Sequence, residues 1–209
     1  MTIKWNGMGE IHLDVLKEVG NIGAGNAATA LSKLISRDID MKVPHARIVH
    51  FDQITELVGG PDAVVVAILL HINGDVQGSM FFILNEASAK ELVKELLPTN
   101  DQTPNFTDLE FSALQEIGNI LIGSYLTSLI DFTQLNMYHS VPSLAIDMAG
   151  AIVSYGLIEL SQVGDYAMVI DTSFLDGSKE VEGHFFFLPD PESLNKIFRA
   201  LGVPLDECH

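Results

Sequence analysis

Near the start of the chain, Asp14, Glu18 and Asn21 are spaced i, i+4 and i+7, and Ser112, Glu116 and Asn119 repeat that spacing 98 residues later. At 3.6 residues per turn, each trio projects from one face of a helix. A carboxylate beside a carboxamide has a limited chemistry. It can pair with a cation, exchange hydrogen bonds and orient a water, but it supplies neither a nucleophile nor a metal. A solvated stripe on an amphipathic helix would give the same pattern at either place alone. The recurrence argues against that, because surface residues around the trios have diverged. Gly20 and Gly118 precede the two Asn residues, each at about 1 kcal/mol of helix propensity relative to Ala. That expense suggests a close approach to the backbone, and Gly23, Gly25 and Gly123 fit the same idea. Tight packing through small residues explains them equally well.

Other chemistries find less support. Gly23-Ala24-Gly25-Asn26-Ala27-Ala28 formally matches a variant of the dinucleotide fingerprint. That motif needs a preceding strand, whereas residues 10–19 have helical periodicity and the second copy lacks the pattern. The Gly-Lys-Ser/Thr of a phosphate loop is absent. The seven His residues are scattered without metal-ligand spacing and read as surface or satisfied core positions, so no protein-held metal is expected. No nucleophile elbow is present.

The trios lie in an internal repeat. Residues 18–31 align without gaps with 116–129, and Pro44 and Pro142 keep the offset of 98. Further on, 76–84 matches 181–189 at an offset of 105, which places seven extra residues between Pro142 and Val181. Each half reads as a long helix (10–36 and 108–132), a strand (41–51 and 138–147), a helical segment, a hairpin (63–72 with 76–84, and 165–173 with 181–188) and a closing helix. Gly74-Asp75 and Gly177-Ser178 supply the turn residues. Thr107 with Glu110 forms a capping-box pattern, and Asp190, Pro191 and Gly202 bracket the last helix. The expectation is an α/β chain of the two-layer α+β kind. It would be a single domain, 1–209, of two pseudo-two-fold-related repeats, 10–97 and 108–202, joined by a linker at 98–107. Long helices would pack on a combined, mostly antiparallel sheet. The extra length falls on 147–160, read as a longer helix than its counterpart 52–60.

Composition narrows the partners. With 28 acidic against 11 basic side chains and a net charge of −17, the surface should repel nucleic acid and anionic membrane. A single cysteine, Cys208, builds no disulfide framework and fits a reducing compartment. No apolar run is long enough to span a bilayer and no signal peptide is visible, so a soluble, cytoplasmic protein is expected.

The pattern Asp/Ser-x3-Glu-x2-Asn-x22-Pro, present as Asp14, Glu18, Asn21, Pro44 and as Ser112, Glu116, Asn119, Pro142, resembles the signature of the CheC/CheX/FliY chemotaxis phosphatases. The resemblance runs through essentially the whole chain, and residues 17–44 and 119–129 look most like CheC of the Bacillus type. It implies an enzyme that hydrolyses the aspartyl phosphate of phosphorylated CheY at two sites, contributing to chemotactic adaptation. It implies that Asn21 and Asn119 orient the attacking water, that Glu18 and Glu116 pair with a lysine of the regulator, and that Asp14 and Ser112 add contacts at the rim. Pro44 and Pro142 would have a structural role. The Mg²⁺ would belong to the CheY substrate, with no cofactor of the chain's own. The family also implies a complex with the receptor deamidase CheD. Met148, Ile152, Tyr155 and Ile158 in the lengthened segment are candidates for that surface, against simple packing on the sheet. The alternative is a non-catalytic module that sequesters phosphorylated CheY or regulates CheD.

Overall fold

The structure, a computed structural model, describes residues 8–97, 105–160, 166–176 and 179–205. The first elements are α1 (Glu10–Ile35), β1 (Asp40–Lys42), β2 (Ala46–His50), α2 (Phe51–Leu57), β3 (Val64–Gly74), β4 (Gly78–Asn85) and α3 (Glu86–Leu96). Then come α4 (Asp108–Thr133), β5 (Met137–His139), β6 (Ser143–Met148), α5 (Ala149–Leu160), β7 (Tyr166–Asp176), β8 (Lys179–Pro189) and α6 (Pro191–Ala200). One element order therefore runs twice.

Local chemistry sets the helix ends. The Thr107 hydroxyl accepts from the Glu110 N–H at 3.3 Å, and Glu110 Oε2 accepts from the Thr107 N–H at 2.7 Å, closing the capping box that starts α4. Asp190 Oδ1 accepts from the Ser193 N–H at 2.7 Å to start α6. Both long helices stop at a left-handed residue, Ser36 at φ 55° and Gln134 at φ 57°, again 98 residues apart.

Two expected boundaries are corrected. Each return strand, read as continuous over 41–51 and 138–147, is two short strands separated by the segment holding the motif proline. Proline has no N–H for a ladder and a fixed φ, so pairing lapses there. The helix expected over 147–160 starts at Ala149, because Asp147 and Met148 finish β6 opposite Val65 and Val64. Met148 therefore leaves the helical stripe assigned to it. The Gly177-Ser178 turn, the Ile158 side chain and residues 98–104 of the linker lie outside the described residues.

Eight antiparallel strands form one sheet in the order β1-β7-β8-β4-β3-β5, with β2 also on β7 and β6 also on β3. The two hairpins meet at β4 and β8. The short strands are exchanged between halves: β1 and β2 pair with β7, and β5 and β6 pair with β3. Alternation along β3 explains its apolar run. Val66, Ile68, Leu70 and Ile72 enter the core shared with α1, α3, α4 and α6, while Val65 and Ala67 join Phe51, Ile54 and Ala149 on the opposite face.

The buried glycines set how closely the long helices lie. A methyl group on Gly23 would stand 3.0 Å from Tyr125 Cα, so α1 and α4 cross there. On Gly118 it would stand 2.4 Å from Ile68 Cδ1, and on Gly20 3.4 Å from Ile170 Cγ2. The close approach at Gly118 is made by the sheet, whereas a methyl group on Gly20 would make only ordinary contacts, with Ile170 and Val43.

A candidate active site on two helices

Helix α1 turns Leu16, Val19, Gly23 and Ala27 into the core, which leaves Asp14, Glu18 and Asn21 exposed on the opposite side. Helix α4 does the same with Leu114, Ile117, Gly118 and Leu121, leaving Ser112 and Glu116 exposed and Asn119 half-buried. Each trio is thus brought onto one accessible face. Ser112 Oγ donates to the Asp108 carbonyl at 2.9 Å, one turn back. Asp14, Glu18 and Glu116 have no side-chain partner among the described residues, which leaves both Glu carboxylates available to an incoming cation.

The two Asn residues stand in different surroundings. Asn21 Oδ1 accepts a hydrogen bond from the Val43 N–H at 3.2 Å. Val43 is buried beside Gly20, and Pro44 points outward. In the second half the same Val-Pro dipeptide is turned over: Val141 is 86% exposed and Pro142 is buried. Gln115 Nε2, and not the Asn carboxamide, reaches that segment, donating to the Pro142 carbonyl at 2.9 Å. Asn119 is left without a hydrogen-bond partner among the described residues. It lines an open cleft of about 460 Å³ with Ser112, Glu116, His139, Val141 and Pro142.

The segment around Pro44 is held from behind. The Asp171 N–H donates to the His45 carbonyl at 3.0 Å, and the Asp171 carboxylate accepts from Arg47 at 2.9 Å and from His184 Nδ1 at 2.8 Å. Burial alone would raise the Asp171 carboxyl. The hydrogen bonds from His184 and Arg47, with their charges, outweigh it and hold the group below the usual carboxylate value. Under α4, the Tyr125 hydroxyl lies 3.0 Å from Thr172 Oγ1, and burial pushes its pKa up to about 12 against the lowering effect of that bond. It stays a neutral phenol, a structural tie between α4 and β7.

His139 is the cleft residue that spacing did not single out. It stands 98 residues after Met41, so asking where the two repeats differ in chemistry would have found it. The site as a whole offers a carboxamide, a carboxylate and an imidazole, and no activated nucleophile. Among the described residues no group of three or more His, Cys, Asp or Glu could hold a metal. Such a site can place a water and a charged partner.

Comparison with known proteins gives the geometry a family. A model described as CheC-like family matches residues 11–47 and 109–146, which contain both trios and both prolines. CheY-P phosphatase CheC of Bacillus subtilis is 47% identical over 206 residues, covering 96% of this chain and 99% of that protein. The flagellar motor switch phosphatase FliY of the same organism is 28% identical over 125 residues, 58% of this chain and 32% of its own length. Among solved structures, Thermotoga maritima FliY superposes with a TM-score of 0.78 at 18% identity, covering 93% of this chain and 98% of that one. The FliM middle domain of H. pylori gives 0.66 at 10% identity, with 92% and 99% covered. At those identities the two structures speak for the fold alone, a helical layer on a curled antiparallel sheet. The identity and coverage of the first relative decide the matter: the chain belongs to the CheC-like family.

Proposed function

We propose that the chain is a phosphatase that hydrolyses the aspartyl phosphate of phosphorylated CheY, and that it works in the cytoplasm on a chemotaxis signal. The observation that carries this reading is the open α4 cleft. There the Asn119 carboxamide has no partner among the described residues, in a chain 47% identical to a protein named CheY-P phosphatase CheC.

The substrate brings the phosphoryl group and its Mg²⁺, and the chain supplies position. Phosphoryl transfer depends mostly on alignment and charge stabilisation. Asn119, and Asn21 at the second copy, insert a carboxamide beside the phosphate and hold a water in line with phosphorus. No covalent intermediate on the chain is needed, and alignment alone can lower a barrier by several kcal/mol. Glu116 and Glu18 pair with a lysine of the regulator and set the register of docking. Ser112 and Asp14 add contacts at the rim, and Pro142 and Pro44 shape the segments flanking each site.

Phosphate release from phosphorylated CheY, with and without the chain, tests the reading. Decay accelerated in proportion to catalytic amounts of chain supports it. Stoichiometric binding with unchanged decay would mean a sequestering module instead. For CheD, the proposed surface is the end of β6 with α5, where Met148 is 47% and Tyr155 63% exposed while Ile152 packs inward. Asp147→Lys should weaken capture of CheD, and undiminished capture would place that partner elsewhere.

A further inference from the structure

The α4 cleft contains an imidazole, His139, at a position where the first repeat has Met41. The ring of His139 stands on the helix-facing side of β5, opposite Ile72 of β3, which is buried on that side. Its Nδ1 lies 2.9 Å from the Ser140 carbonyl oxygen. A carbonyl only accepts, so Nδ1 carries the proton and, in the neutral ring, Nε2 carries the lone pair. That nitrogen has no partner among the described residues. It faces Gly123, where an added methyl group would stand 3.8 Å away. Gly123 lies one turn after Asn119 on the same helix face, its missing side chain leaves room at Nε2, and His139 lines the same cleft as Asn119. At the matching place in the first half is Met41, buried and without a titratable group.

We propose that His139 is a further catalytic residue of the α4 site, the acceptor of the proton lost by the water that Asn119 orients. The inference rests on the phosphatase reading above. As the water oxygen bonds to phosphorus, the bond from phosphorus to the aspartyl oxygen breaks. Its electron pair stays on the carboxylate, the water proton passes to Nε2, and the imidazolium later releases it to solvent. The charged group sharing the cleft lining with His139 is Glu116 on α4. Its neighbour on the same strand face is the buried Met137, and His71 of β3 lies on the opposite face with Ser79.

The test isolates each site by removing the other. Asn21→Ala leaves the α4 site, and its decay rate should climb as pH rises between about 5 and 8, the range in which an imidazole changes charge. Adding His139→Asn keeps a donor towards the Ser140 carbonyl but removes Nε2. It should flatten that limb and lower the rate at pH 8 by about tenfold or more, since a positioned base contributes on the order of a hundredfold. Asn119→Ala, which leaves the α1 site, should show no such limb. An unchanged rate and profile in the His139→Asn variant, its thermal unfolding being like that of its parent, overturns the proposal while leaving the Asn mechanism standing. Decay no faster than spontaneous with Asn21→Ala alone removes the α4 site itself, and the proposal with it.

Discussion

At the scale of single residues, the two copies of one motif are in different states. The Asn21 oxygen is engaged with the Val43 N–H, whereas Asn119 faces open space. A neutral hydrogen bond is worth about 1 kcal/mol net, so releasing Asn21 makes its carboxamide about fivefold less available. Asn119→Ala should therefore remove most of the stimulated decay of phosphorylated CheY, and Asn21→Ala at most about a sixth. Equal losses in a decay assay would contradict the difference. Glu116→Ala should raise KM more than it lowers kcat, because a docking carboxylate acts before the water attacks. Single-turnover kinetics at saturating regulator separates the two. The trios themselves were legible in the sequence, because a period of 3.6 fixes which side chains share a face. The difference between them was not. Both copies read Val-Pro, and no local rule says that Val43 turns inward while Val141 turns outward. His139 escaped notice for a related reason: a motif defined by what repeats hides what does not.

At the scale of elements, the glycines divide by what lies against them. Nothing stands within 4 Å of a methyl group placed on Gly25, so Gly25→Ala should stabilise the chain by up to about 1 kcal/mol through helix propensity. Gly118→Ala meets buried Ile68 at 2.4 Å and should destabilise by about 1–3 kcal/mol. Urea unfolding of both variants checks the opposite signs. The sequence marked these glycines as unusual but could not say whether a sheet or a partner faced them. The strand pairs holding the Pro44 segment carry a pH signature. Asp171 titrates below its ordinary value in the fold, and an unfolded Asp titrates near about 3.9. Its contribution is therefore complete above that pH and is lost as pH falls through it towards the folded value. Asp171→Asn should lose stability near neutrality, and its melting temperature should fall less than wild type's between pH 5 and pH 3. An equally steep fall would place the acid sensitivity elsewhere.

At the scale of the whole molecule, the repeat is two copies interleaved. The hairpins and helices were legible from alternation, turn residues and caps, yet periodicity does not choose a strand's partner. The exchange of β1 and β2 onto β7, and of β5 and β6 onto β3, is a long-range choice made by the packed sheet. It has a consequence for stability: each half alone would expose the long flank of its hairpin and leave its short strands unpaired. Residues 10–97 and 108–202 made as separate chains should not fold cooperatively, which circular dichroism during thermal unfolding would show. A sharp transition in either half alone would contradict the interdependence. The interleaving also ties the sites together. The segment flanking the α1 site is held by β7, and the segment flanking the α4 site by β3. Both candidate sites need the complete sheet, and the chemistry proposed at each depends on one carboxamide. The most direct measurement is the decay of phosphorylated CheY with the Asn21→Ala, Asn119→Ala double variant, its fold checked by circular dichroism. Decay at the regulator's own spontaneous rate is the expected result, and stimulated decay retained in that folded variant would contradict the assignment of catalysis to the paired asparagines.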